Sequence, residues 1–296
     1  MGQYDILYAK QVENIIANGF SDEGMNVRTK WADSSPAHTI GTISDKLVFD
    51  GTEVPILTTK RVAWKTAIHE LLWFYVKRTS DCAYLDENNV KIWKEWTRED
   101  NTIGKAYGYQ LGKKISTGKV DIKELVGDGW ITSGHKTHVY TNQVHKLING
   151  IKNDPASRRH IISLWNIDDA WDMALQPCVW HNQWLVKEGR LHLIVGIRSN
   201  DIALGQPFNV FQYYVLQRMI AQVTGYEIGT LTFNINDNHI YTRHVEPLKQ
   251  QIALKPYEAP TLWINPDIKN FDDFTINDFE LVGYQHHPTI NLEVAI

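Results

Sequence analysis

The stretch from Ile161 to Ile235 sets the tightest limits on how this chain can fold. Three strand-like runs come in succession: Ile161 to Trp165, Cys178 to Val186 and Leu191 to Ile197. Between the last two, Lys187-Glu188-Gly189-Arg190 reads as a hairpin turn. Pro207 to Val223 then reads as a long helix that opens on proline and stops at Gly225, and Leu231 to Ile235 as a further strand. Earlier in the chain, Tyr4 to Ala17 and Val139 to Ile151 carry apolar residues at helical spacing, and Thr39 to Phe49 alternates like a half-buried strand. Ile240 to Leu254 looks helical. Helices and strands are interspersed, with no repeat and no low-complexity linker. A single α/β domain spanning residues 1–296 is expected. The irregular segment at about 113–137 is expected to be a surface excursion that does not lie over Cys178.

Composition narrows the class. Apolar residues at 43% and charged residues at 22% supply a large core in an ordinary globular protein. A net charge of -4 argues against a general nucleic-acid-binding role, which normally needs a basic surplus. Cys82 and Cys178 are the only cysteines, which excludes a four-cysteine metal site and makes a disulfide framework implausible. His69 and His239 show no metal-ligand spacing, so no metal is expected. Two reduced thiols, an N-terminus without a signal-peptide pattern and no apolar run of membrane-spanning length predict a cytoplasmic protein.

Cys178 stands in Leu175-Gln176-Pro177-Cys178, with Arg158-Arg159 before it and Arg198-Ser199-Asn200-Asp201 after it. Guanidinium groups near a thiol stabilise the thiolate, and several together make a clamp for a phosphate monoester. Covalent chemistry on a phosphorylated small molecule is the implied class. Taken alone, a cysteine in an apolar run is more often buried and inert, and the arginine doublet could be a salt bridge with a solvated neighbour. Glu70 lies within an apolar run, where a carboxylate must be paired or hydrogen-bonded. It is either an ion pair with Lys65 or Arg61 or a proton-handling acid. Trp93 and Trp96, three apart, would share a helical face and serve either the core or a ligand platform. Asp237 to Tyr241 is a polar cluster at a strand end, read as a turn, a helix cap or a ligand-contacting loop.

Together these residues resemble the thymidylate synthase family. The motifs run in order from Arg28-Thr29 through Thr58-Thr59-Lys60-Arg61, His69 to Phe74, Ile92 to Trp96, Ala106-Tyr107-Gly108, Ser157 to Ile161, Pro177-Cys178, Arg198 to Asp201, Gly205 to Asn209 and Asp237 to Tyr241. The resemblance implies a large mixed sheet flanked by helices, packed face to face in a homodimer. It implies methylation of dUMP to dTMP, with 5,10-methylenetetrahydrofolate as carbon and hydride donor and Cys178 adding to uracil C6. In that scheme Arg28, Arg158, Arg159, Arg198 and Ser199 hold the phosphate, the adjacent pair being contributed to the partner's site. Asn209 reads the uracil edge, because an amide offers both a donor and an acceptor. Asn200 and Asp201 also line the dUMP site, and His239 and Tyr241 contact the deoxyribose. Glu70 relays protons through water and Tyr107 helps remove the C5 proton. Lys60, Trp93, Trp96, Asp201, Gly205 and Ala295 contact folate, with the tail Val294-Ala295-Ile296 closing over it.

The chain departs from the family pattern at three places. Val179 follows the nucleophile where His is common, Ala63 stands where many members have a folate-contacting His, and Thr29 to Pro36 replaces a Thr/Gly-rich run. These bear on folate geometry and loop motion. A dUMP hydroxymethyltransferase would share Cys178, the arginines and Asn209, and would differ by admitting water near the folate ring. A non-catalytic RNA-binding or regulatory protein of the same fold is disfavoured by the full set of catalytic residues and the absence of basic surplus.

Overall fold

The computed structural model describes residues 2–121 and 136–296, with the side chains of 116–140 outside that description. Helix α1 (Gln3–Asn18) leads into the short strand β1 (Phe20–Ser21) and the long strand β2 (Thr39–Phe49). Helix α2 (Trp64–Leu72) runs on into a π-helical turn at Trp73–Lys77, followed by the short helices α3 (Ala83–Glu87) and α4 (Gly108–Gly112). Strands β3 (Ile115–Asp121) and β4 (Lys136–Thr141) pair antiparallel in the irregular segment, whose residues 122–135 lie outside the described residues. Then come α5 (Gln143–Asn153), β5 (His160–Ser163), β6 (Val179–Lys187), β7 (Arg190–Ile197), β8 (Asn200–Asp201), α6 (Gly205–Thr224), β9 (Glu227–Tyr241), α7 (Val245–Ile252), β10 (Thr261–Ile264) and β11 (Phe279–Val282).

The main sheet has the order β1-β2-β9-β7-β6-β5, with β8 beside β9. Only β7–β9 and β8–β9 are parallel, joined through the crossover helix α6, so the sheet is mixed as expected. The β6–β7 turn is a two-residue hairpin in which Glu188 and Gly189 both have positive φ, 51° and 72°. That backbone twist matches the twist of the flanking strands.

Register explains where the core lies. The cross-strand row Ile162, Asn182, Val195, Phe233 and Leu47 is buried throughout, under α1, α5 and α6. The neighbouring row Ile161, Gln183, Ile194, Thr232 and Val48 points the other way, because side chains alternate between faces. Ile161 is 51% and Val48 42% exposed there, so one sheet face carries apolar groups that the described residues leave uncovered.

Three boundaries differ from expectation. The helix read at Val139 begins only at Gln143, where Asn142 accepts the His145 N–H at 2.9 Å, and Val139 itself belongs to β4. Strand β9 runs for 15 residues and absorbs Asp237 to Tyr241, neither turn nor loop, because each of these residues pairs with β2. The helix read from Ile240 is confined to Val245–Ile252, after a 3-10 turn at Thr242–His244. Helix α6 starts at Gly205 and carries Pro207 within its first turn, where a missing N–H costs nothing. It is buried on nearly all sides and ends at Gly225, whose N–H bonds the Ala221 carbonyl at 2.8 Å.

Candidate active site

The parallel end of the sheet gathers the chemical residues. Cys178 precedes β6, and its carbonyl accepts the Arg198 N–H at 2.8 Å, so the β6–β7 pairing sets thiol and guanidinium side by side. The Arg198 side chain is aimed by donating to the Pro177 carbonyl at 2.9 Å and the Gln176 carbonyl at 2.7 Å. Tyr107 approaches from the other side: its hydroxyl oxygen accepts the Cys178 N–H at 3.0 Å. Tyr107 has φ 41° and ψ -100°, a sparsely populated conformation held by stacking on Phe74 at 4.5 Å and an edge contact with Trp93 at 5.3 Å. Gly108 follows of necessity, since a Cβ there would lie 2.0 Å from the Thr79 carbonyl oxygen.

Burial pushes the Cys178 thiol above its ordinary pKa, against the pull of Arg198, while Asp201 adds to the rise. Arg198 therefore favours thiolate as expected, yet within one chain desolvation outweighs it. Tyr107 is likewise driven up by burial, reinforced by the nearby thiol.

Beyond β7, Ser199 leads into β8, where Asn200 pairs with Asn238 and Asp201 with His239. Asp201 Oδ1 accepts the backbone N–H groups of Ala203 (2.8 Å) and Leu204 (3.2 Å), which fixes the turn into α6. Gly205 lies between Asp201 and Asn209: a Cβ on it would be 3.9 Å from both the Asp201 Cβ and the Asn209 amide nitrogen. Asn209 and Asp201 thus face one space. His239 is fixed by a 2.5 Å bond to Asp237 and sits edge-on to Tyr241, with centroids 5.4 Å apart. Burial raises the Tyr241 phenol, and Asp201 adds to this, while Thr29 and Arg28 oppose it, so Arg28 belongs to the same neighbourhood.

Glu70 is buried on α2 without the ion pair that Lys65 or Arg61 could have made. Instead Oε1 accepts the Trp93 indole N–H at 2.5 Å and Oε2 accepts the Gln212 amide N–H. Burial raises its pKa, and both donors oppose the rise. Trp93 and Trp96 do meet, at 5.7 Å edge-on, but around a single 3-10 turn and not along a helix face. Lys60 is buried, its ammonium bonded to the Ala203 carbonyl at 2.5 Å. Desolvation lowers it to about 8, opposed by Asp201. The tail returns to the site's rim: Lys30 and Ile296 exchange backbone bonds of 2.7 and 2.9 Å, with Ala295 half-buried between. Arg243 ties Glu293 of the tail to Asp33.

Two residues are not brought together with the rest. Arg158 and Arg159 are exposed and immediately precede β5, where His160 pairs with Trp184. At ~3.3 Å per residue, the run from Cys178 to Trp184 puts them about 20 Å along β6 from the chain's own thiol. Sequence reading also missed Gln212, and it missed a buried amide ladder beneath the site. Asn200 donates to Gln206 (2.6 Å) and to Asn238 (2.7 Å), Gln206 donates to Gln11 (2.9 Å), and Asn238 donates to Asp45 (2.7 Å). The available signal was glutamine recurring in a helix that is mostly apolar.

Among the described residues no cluster of His, Cys, Asp and Glu could hold a metal ion, and no helix is long and apolar enough to cross a membrane. The family model described as thymidylate synthase matches residues 7–296. The chain is 54% identical to the thymidylate synthase of Bacillus licheniformis and 53% identical to thymidylate synthase 1 of Bacillus subtilis strain 168, each over the whole of both chains. Among solved structures, thermostable thymidylate synthase A from Bacillus subtilis superposes with a TM-score of 0.88 at 52% identity, covering 99% of this chain and all of that one.

Proposed function

The chain belongs to the thymidylate synthase family, and from that premise we infer that it converts dUMP to dTMP by reductive methylation. The relatives bear the synthase name, which favours methylation over hydroxymethylation and over a non-catalytic role. The observation that carries the reading is the convergence of Arg198 and Tyr107 on Cys178, with Asn209 and Asp201 facing the same space.

In this scheme the Cys178 thiolate adds to C6 of uracil, forming a C–S bond and pushing an electron pair toward O4, so that C5 becomes the carbon nucleophile. Arg198 offsets part of the desolvation that holds the thiol protonated. Asn209 meets O4 and N3–H with its amide, which a carboxylate could not do. Glu70 supplies and takes protons at O4 through water. Tyr107, whose oxygen already borders Cys178, helps remove the C5 proton. Expulsion of the thiolate restores Cys178. His239 and Tyr241 suit the deoxyribose hydroxyl, and Arg28, Arg198 and Ser199 the phosphate, with Asn200 holding that strand from below.

The co-substrate 5,10-methylenetetrahydrofolate supplies a one-carbon unit and hydride, and leaves as dihydrofolate. The residues present fit it. Asp201 spends Oδ1 on the backbone and keeps Oδ2 for the N–H donors of a pterin, and Trp96 stands half-buried as an aromatic wall. Gly205 keeps the approach open, and Ala295 with the tail shuts water out. Lys60 serves by holding the Ala203 carbonyl beneath Asp201.

We extend this to a homodimer built on the open sheet face, whose cross-strand row places Ile161, Ile194 and Val48 on alternate strands with Gln183 and Thr232 between them. Arg158 and Arg159, about 20 Å from their own thiol, then serve the partner's phosphate site. A single-domain cytoplasmic enzyme is the simplest setting. Incubation with dUMP and methylenetetrahydrofolate, followed by dihydrofolate absorbance and the mass of the nucleotide, tests the reaction. Hydroxymethyl-dUMP appearing without dihydrofolate would overturn it.

A further inference from the structure

We propose that Gln212 is a positioning residue for Glu70, its side-chain amide fixing the carboxylate in the orientation and charge state that serve the Cys178 site. The proposal rests on the proton-handling role given to Glu70 above.

The geometry leaves little choice of arrangement. Gln212 lies in α6, one turn beyond Asn209 in the order of the helix, and is buried. Its Nε2 bonds the Ala67 carbonyl at 2.9 Å. A carbonyl only accepts, so the amide must present its NH2 end there and cannot be flipped. The second hydrogen of the same nitrogen is then aimed at Glu70 Oε2. On the other oxygen, the Trp93 indole can only donate. Both carboxylate oxygens are therefore acceptors, the state an ionised group satisfies. Burial works against that state, and these two donors are what oppose it.

Among the described residues no charged side chain bonds Glu70. The charge of Glu70 reaches Tyr107, before α4, and Tyr213, beside Gln212 on α6; burial first of all holds both phenols well above their ordinary pKa. On its own helix, His69 is engaged with the Tyr84 hydroxyl at 3.1 Å, and among the described residues no lysine or arginine bonds the carboxylate. Gln212 thus joins Ala67 of α2 to the carboxylate one turn on, while Trp93 packs edge-on against Tyr107, whose oxygen touches Cys178.

The test is the kcat–pH profile of Gln212→Met, which keeps the volume and removes the N–H donor. Losing a hydrogen bond to the charged form raises the carboxyl pKa, so the acid limb of kcat moves up by about one pH unit. KM for dUMP changes by less than about threefold. Gln212→Asn, too short to span Ala67 and Glu70 together, gives the same displacement if Gln212→Met does not fold. Trp93→Phe moves the limb in the same direction. An unmoved limb in a folded Gln212 variant, while Glu70→Gln abolishes turnover, overturns the role of Gln212 alone. If Glu70→Gln keeps the parental rate and profile, the proton-handling reading of Glu70 falls instead.

Discussion

Replacing Asn200 by alanine tests whether the amide ladder beneath the site supports it. Asn200 is 1% exposed, and its Nδ2 supplies hydrogens to Gln206 Oε1 at 2.6 Å and Asn238 Oδ1 at 2.7 Å. Both acceptors are themselves fully buried, so bulk water cannot replace the lost donor. An acceptor orphaned in the interior costs about 1–3 kcal/mol, and two are orphaned here, partly relieved by any water entering the space vacated. Asn200→Ala should therefore lose about 2–5 kcal/mol of stability in equilibrium urea unfolding, a large share of an ordinary folding free energy. Asn200→Asp keeps the shape but turns the donor into a buried charge facing two acceptors, and should be at least as destabilising. The site should respond too, because Asn200 stands between Ser199 and Asp201 and its neighbours in the ladder precede Asn209 and His239. KM for dUMP should rise more than kcat falls. A loss below about 1 kcal/mol for Asn200→Ala, with unchanged KM, would refute the reasoning.

Mixing inactive Cys178→Ala dimers with inactive Arg158→Ala/Arg159→Ala dimers under subunit exchange should restore about a quarter of parental activity, since half the dimers become mixed and each has one intact site. No recovery despite exchange would rule out sharing of the arginines. Asn209→Asp should reverse the preference between dUMP and dCMP, measured as the ratio of kcat/KM, by about tenfold or more, because a carboxylate accepts from the cytosine amino group and repels uracil O4. Asp272 has its pKa held far below the ordinary carboxylate range: burial raises it, but hydrogen bonds from His145 and Arg78 overcome that. A depressed folded-state pKa gives stability that is present above the unfolded value, about 4, and is lost as pH falls toward the folded one. Asp272→Asn should be less stable than the parent near pH 6, with the two urea midpoints converging as the solution is acidified below about pH 4.

The sequence by itself determined what depends on near neighbours. Strand β2 was legible from alternation, the β6–β7 hairpin from Glu188-Gly189, and the end of α6 from Gly225, since backbone preference and periodicity act over a few residues. The ordered motifs likewise named Cys178, Arg198, Asp201 and Asn209, which the structure places at one end of the sheet. Tertiary structure decided what those residues bond to. Glu70 could equally have been an ion pair, and only the packing of α2 against α6 gave it Gln212 and the 3-10 turn gave it Trp93. The polarity of Asp237 to Tyr241 left a turn, a helix cap and a ligand-contacting loop open, yet β2 supplied the pairing that keeps it a strand. Spacing alone put the arginine doublet in a clamp with Cys178, the resemblance assigned it to a partner's site, and register separates the two along β6 within one chain. A buried polar group takes whichever partner the fold brings within 3 Å, and that choice is made by strand register and helix packing across a hundred residues or more.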